Sequence, residues 1–399
     1  MVSVSVSAKI ARNSRIFRDQ RPPAAAMMRC PPAEAVDCQT FVSQARLDQR
    51  LVDDEIERQI MIFRRDTIRC GIGQCGVGLT TAALPMGPLN AAAAESAQVL
   101  KTADLHPPGY PSVVALEHMG EKLAAATDGR LKLFVYTSMQ LGGEKEEIEQ
   151  AQVGALAMVR VSAGPLGDVV DDLNVLNLPF LFRDAAQARR VLDGPIGQEL
   201  LDRVSNHPTA GLIGLTWFDT GAHGFYDTRR PIRSMADLSG LKIRVMGNPI
   251  FVDMINAMGG NGVPMGYDQV VSALRTGVVD GAENSTTGYV FDNHYEVAKY
   301  FTLTEHLVVP AIVVFSKPVW IGLASDDQEL IKRLAREARA EQLALWDAYE
   351  AQALARMRQA GITIETMADE QSLRAAVKPI WQRYAPRYAD VIARIQAQP

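Results

Sequence analysis

The sequence predicts an α/β protein of two lobes bridged by one long helix. Two observations carry this. From residue 99 to residue 316 short apolar runs alternate with amphipathic stretches, the order that builds buried sheets covered by helices. Residues 326–359 then contain neither glycine nor proline and are rich in Ala, Glu, Arg and Leu. A helix of that length runs about 50 Å, more than the diameter of one small domain, so it spans two.

Taking the elements in order, residues 99–103 form a short strand and residues 107–110 a turn. Ser112 is placed to cap a helix whose inward positions are Val113, Leu116, Met119, Gly120 and Leu123. Residues 130–136 alternate as a strand. Residues 144–154 form a charged helix with Ile148 and Val153 facing in, and 156–161 a strand. Residues 185–204 read as one helix and 211–217 as a buried strand. Then come a strand over 241–246, helices over 250–258 and 267–275, and an apolar strand over 308–316. Strands spaced by helices favour buried parallel pairing. No internal repeat is present.

Composition sets the outer limits. The chain has 399 residues, 47% apolar and 22% charged, ordinary values for a globular protein. Length alone allows two or three domains. No apolar run long enough for a membrane span occurs beyond residue 94. The net charge of −5 gives no electrostatic footprint for nucleic acid.

The four cysteines sit at 30, 38, 70 and 75 and none follows. That region reads as a leader. Arg64, Arg65 and Arg69 form a positive start, an uncharged apolar stretch follows, and Ala91–Ala94 is a small-residue cleavage site. Residues 61–94 are therefore expected to be a signal peptide cut after Ala94, with Arg64-Arg65 also open to a twin-arginine reading. A short membrane anchor is the alternative. Residues 1–60 are expected to be an over-extended start before Met61, or else a true extension. Gly71-Ile72-Gly73-Gln74-Cys75-Gly76 matches a dinucleotide-binding pattern but lacks its strand and helix and falls within the leader. Residues 1–94 carry 12 of the 41 basic and 9 of the 46 acidic residues, leaving 29 against 37 and a net charge of −8. The remaining chain is exported, acidic and free of cysteine.

Catalytic signatures are absent beyond the leader. No G-x-S-x-G, H-E-x-x-H, Walker A or C-x-x-C pattern occurs. The six histidines are scattered, none paired at helical metal-site spacing, so neither a metal nor a cofactor is expected. An exported two-lobed protein without chemistry is expected to be a ligand-binding clamp and not an enzyme.

Four segments then make a specific resemblance. They are Thr137-Ser138-Met139-Gln140-Leu141-Gly142-Gly143-Glu144, Leu176-Asn177-Leu178-Pro179-Phe180-Leu181-Phe182, the run from Asp237 to Val245, and Val279-Asp280-Gly281-Ala282-Glu283-Asn284. In this order and spacing, over 97–390, the chain resembles the substrate-binding proteins of TRAP transporters, the DctP family. The resemblance implies a periplasmic-binding-protein-like fold with a hinge and a long helix crossing both lobes. Lobe I is expected over 95–220 and 308–349, lobe II over 221–307 and 350–399. It further implies a monomeric periplasmic receptor, exported by the general or twin-arginine route, that delivers an organic acid to a membrane permease driven by an ion gradient.

Arg244 lies on a strand where an unpaired guanidinium is costly. The family uses this arginine to clamp a carboxylate, and its planar fork suits that task. A structural salt bridge is the competing role. Asn284 matches a ligand-touching position and carries donors and an acceptor, with a turn role as the alternative. Glu283 beside it is read as structural. His223 stands where many relatives carry arginine; a directional hydrogen bond to ligand or a supporting role behind it are both open. Arg160 is expected at a strand end facing the cleft, or at the surface. His106 is expected at the cleft mouth, or as a turn residue. Trp217 and Tyr267 are candidates to wall the pocket against ligand carbons, as is Tyr289, each with core packing as the alternative. The Ala222–Tyr226 and Asp280–Asn284 segments look most like binders of sugar acids such as uronates. A C4-dicarboxylate, a 2-oxo acid or an aromatic acid remains open, as does a sensor not coupled to transport.

Overall fold

The computed structural model describes residues 97–367 and 369–398. The expected leader, its signal segment 61–94 and the cut after Ala94 lie outside the described residues.

Lobe I begins with β1 (Gln98–Asp104), α1 (Pro111–Ala126), β2 (Leu131–Tyr136), α2 (Glu144–Gln152) and β3 (Met158–Ser162). Helix α1 starts at Pro111, whose fixed φ suits a first turn. Ser112 does not cap it; its hydroxyl donates to Asp104 Oδ2 at 2.5 Å. In α2, Ile148 is buried as the periodicity requires. Val153 is 76% exposed because it follows the last turn and no longer sits on the inward stripe. The one helix expected over 185–204 is two, α3 (Ala185–Asp193) and α4 (Pro195–Asn206). Pro195 lacks the N–H that would continue the ladder and opens a new helix at its first position. β4 (Leu212–Phe218) ends this stretch.

The chain then enters lobe II through β5 (His223–Asp227), β6 (Lys242–Val245), α5 (Pro249–Ala257), β7 (Asn261–Pro264), α6 (Val270–Thr276), β8 (Gly281–Ser285), α7 (Thr286–Phe291) and β9 (Tyr300–Leu307). β5 and β8 have no apolar alternation to announce them. Both are central strands buried on two faces, where position in the sheet overrides propensity. β10 (Ala311–Ser316) returns to lobe I, α8 (Ser325–Gln359) follows, and β11 (Thr363–Thr366) joins the second sheet. Helices α9 (Glu370–Ala376), α10 (Lys378–Tyr384) and α11 (Ala389–Gln396) close the chain.

The first sheet has the order β2-β1-β3-β10-β4 and the second β11-β9-β5-β8-β6-β7. Both are mixed, not purely parallel. β10 comes back from the other lobe and runs antiparallel to β3 and β4, while β5 runs antiparallel to β8 and β9.

Helix α8 packs on α1 and β4 at one end and on α7 and β11 at the other, so it crosses both lobes. The C-terminal helices also reach both. Arg394 of α11 pairs with Glu199 of α4 at 2.7 Å, and Arg383 of α10 with Asp253 of α5 at 2.8 Å. The two strand crossings, 219–222 and 308–310, are tied together by Thr220 Oγ1, which donates to Val309 O at 2.5 Å. Gln342 of α8 grips the first crossing with both ends of its amide. Its Oε1 accepts from Asp219 N at 3.0 Å and its Nε2 donates to Asp219 O at 2.9 Å. Gly221, at φ +74°, is required here: a Cβ would meet the Trp346 ring at 3.2 Å in a left-handed backbone.

Candidate functional site

Strand ends from both sheets converge between the lobes. β1, β3, β6 and β8 present their C-terminal ends or last residues, and β5, antiparallel to β8, presents its first. This is where open α/β sheets bind ligands. A cavity of about 40 Å³ lies there, lined among others by His106 and Arg160 from lobe I and by His223, Arg244, Tyr267, Glu283 and Asn284 from lobe II. Thr220 and Val309 of the crossings and the apolar Met246 also line it. A wider cleft of about 560 Å³ shares Glu144, Arg244, Met246 and Tyr267 with it.

Arg244 is 3% exposed. Its neighbours Ile243 and Val245 are core residues, which holds β6 in place and fixes the arginine stem. The Nε and Nη2 atoms donate to Met265 O at 3.1 and 2.9 Å, and the guanidinium lies 5.5 Å from the centre of the Tyr267 ring. Among the described residues no carboxylate comes within 4 Å of it, so the competing structural salt bridge is not formed.

Asn284 joins a short chain of polar groups. Its Nδ2 donates to Tyr267 Oη at 3.1 Å, and that hydroxyl donates to Asp292 Oδ2 at 2.7 Å. Its Oδ1 accepts from Ser285 N at 2.7 Å. His106, from lobe I, brings Nδ1 within 3.3 Å of the same Asp292 oxygen, without hydrogen-bond geometry. Its ring stacks on Tyr110 at 3.7 Å.

His223 Nδ1 meets Glu283 Oε2 at 2.5 Å, both side chains buried. Burial pushes the Glu283 carboxyl up, but the charge and hydrogen bond of His223, with His306 and Arg244 behind them, hold it below the usual carboxylate range. His306 itself is pushed down to about 4 by burial and stacks on Phe225 at 4.4 Å.

Arg160 is 2% exposed. Its Nη1 stands 3.8 Å from Glu144 Oε1, which accepts Ser162 N at 2.6 Å, and its buried Nε has no hydrogen-bond partner. It is therefore not at the surface. Below it Glu147 is buried with neither carboxyl oxygen hydrogen-bonded, and burial beside Asp104 and Glu144 pushes its pKa up to about 9.

Two expected wall residues are elsewhere. Trp217 sits in the lobe I core with its indole N–H donating to Gly197 O at 3.0 Å. Tyr289 sits in the lobe II core with its hydroxyl donating to Ala298 O at 2.5 Å. Their strand and helix turn them away from the cleft. Conversely, Tyr110, Ser162, Thr220 and Ser285 line the cavity and were not anticipated. Glu144 was available, since it ends the first of the four family segments. The others carry no signal at the level of sequence.

Among the described residues no cluster of three or more His, Cys, Asp or Glu is arranged to hold a metal. Nor is any helix among them long and apolar enough to cross a membrane.

Comparison with known proteins gives these features a context. Residues 102–387 match the family described as bacterial extracellular solute-binding protein, family 7. A solute-binding protein of Chromohalobacter salexigens is 38% identical over 288 residues, 72% of this chain and 85% of its own length. A TRAP periplasmic solute-binding protein from Pseudomonas putida F1, solved with bound D-glucuronate, shares 46% identity. It superposes with a TM-score of 0.74 over 75% of this chain and 97% of that one. Another from a Bradyrhizobium species, in complex with D-galacturonate, shares 41% identity with a TM-score of 0.73, over 75% and 99%. This chain therefore belongs to the bacterial extracellular solute-binding proteins of family 7, the DctP family, whose members are receptors for solutes and not enzymes.

Proposed function

We propose that the protein is a periplasmic receptor for hexuronates that delivers them to a TRAP-type membrane permease. One observation carries the anion reading. Arg244 is buried at the interlobe cavity, held by a backbone carbonyl and an aromatic face, with no carboxylate within 4 Å among the described residues. A guanidinium in that state gains most from a carboxylate, which its fork binds through two parallel charge-assisted bonds. The polar rim supports a hydroxylated partner. Asn284, Ser162, Thr220, Ser285 and Tyr110 ring the cavity with groups that donate or accept. The uronates bound to the Pseudomonas and Bradyrhizobium relatives support the same class.

The cavity of about 40 Å³ is far smaller than the about 150 Å³ of a cavity that takes up a benzene ring. A sugar ring therefore enters only with the lobes further apart, through the adjoining cleft. Such closure about a hinge is the usual behaviour of two-lobed receptors. The test is calorimetry on purified protein with D-glucuronate, D-galacturonate, an aldonate, succinate, a 2-oxo acid and an aromatic acid. Tight binding of a hexuronate, with the others at least tenfold weaker, supports the reading. A preference for succinate or the 2-oxo acid overturns it.

A further inference from the structure

We propose that Glu283, oriented by His223, is a specificity-determining residue that accepts a hydrogen bond from a ligand hydroxyl and so selects hydroxylated acids over dicarboxylates. This rests on the sugar-acid reading above. Glu283 is 1% exposed and lines the same cavity as Arg244 and Asn284. Its two oxygens are treated differently. Oε2 is taken by His223 Nδ1 at 2.5 Å, whereas Oε1 is buried with no hydrogen-bond partner among the described residues.

A buried carboxylate oxygen without a donor is costly, and such groups are satisfied in native structures by protein, water or ligand. The surrounding charges favour the ionised form, in which both oxygens are acceptors only. A sugar hydroxyl supplies the missing donor. The second carboxylate of a dicarboxylate supplies none and is repelled by like charge. His223 fixes which oxygen is left over. Its short ring leaves the far oxygen unengaged, whereas an arginine at this position has five donors and can engage both.

The experiment compares wild type and Glu283→Gln by calorimetry against D-glucuronate and its singly deoxygenated analogues. In wild type, one deoxy analogue is expected to bind at least tenfold more weakly than D-glucuronate, since its loss leaves Oε1 unsatisfied. In Glu283→Gln, D-glucuronate is expected to lose at least tenfold and the penalty at that one position to disappear. An unchanged pattern of penalties, or an equal loss for all ligands, overturns the proposal. A wild type that binds no uronate defeats the receptor reading first, and that result is visible without any variant. Should Glu283→Gln fail to fold, a crystal structure of the wild-type complex decides. A ligand hydroxyl within about 3 Å of Glu283 Oε1 sustains the assignment, and a water or protein donor there overturns it.

Discussion

Two buried arginines line one cavity from opposite lobes and are held in opposite ways. Arg160, in lobe I, has Glu144 at 3.8 Å and further acids in Glu147 and Asp104 close enough to act on its surroundings. Arg244, in lobe II, contacts the Met265 carbonyl and the Tyr267 face, and no carboxylate among the described residues lies within 4 Å of it. Burial is nearly the same, 2% against 3%. What differs is the partner. A carboxylate within 4 Å balances Arg160 from within the protein, whereas among the described residues Arg244 has none that near and interacts with Glu283 only at longer range. Burial alone says little about the role of a charge; the source of its counter-charge says more.

The sharpest way to break that comparison is to remove each arginine in turn. Arg244→Ala is expected to weaken binding of the native acid by at least 100-fold, about 3 kcal/mol, as for truncating one side of a desolvated charge pair. The fold should hold, as read by circular dichroism, because no carboxylate among the described residues is paired with it within 4 Å and Glu283 keeps its His223 partner. Unchanged affinity in calorimetry would remove the clamp assignment.

Arg160→Met should behave the other way round. It leaves Glu144 without its cation, so thermal unfolding is expected to show a loss of roughly 2–4 kcal/mol. Affinity should fall by about tenfold, less than for Arg244. Equal losses of affinity at the two positions would show both arginines to be ligand clamps and end the asymmetry.

A pH effect sharpens the lobe I side. Glu147 has a folded pKa raised to about 9, against an ordinary value near 4.5. Between those values the folded state binds more protons than the unfolded one, so stability falls as pH rises from about 4.5 to about 9. Glu147→Gln removes the titration and keeps the shape. It is expected to match wild type near pH 4.5 and to be more stable at pH 8 by several kcal/mol. Denaturant unfolding at the two pH values checks this; identical curves at pH 8 would mean that Glu147 is already ionised without cost.

Much of the architecture was legible before any coordinate. The α/β order, the helix over 326–359 and the crossing it makes follow from local periodicity and from the absence of helix breakers. Arg244 and Asn284 stood within recognisable segments, and both line the cavity. The wall aromatics divided differently. Tyr267 lines the cavity, but Trp217 and Tyr289 are core. An aromatic in a regular element looks the same in sequence whether its ring faces the core or the cleft. Val153 and Ser112 show the same limit at helix ends, where one residue more or less reverses exposure or replaces a cap.

The sequence by itself determined the class of the fold and the bridging helix. These depend on patterns within one or two turns of chain and on composition. Only the tertiary structure decided which charges answer one another. His223 and Glu283 are 60 residues apart. His106 reaches Asp292 from the other lobe. Among the described residues Arg244 has no carboxylate within 4 Å, although the chain as a whole is acidic. Such pairings depend on electrostatics that act over a few ångströms, between segments that the two sheets bring together and that local periodicity never relates.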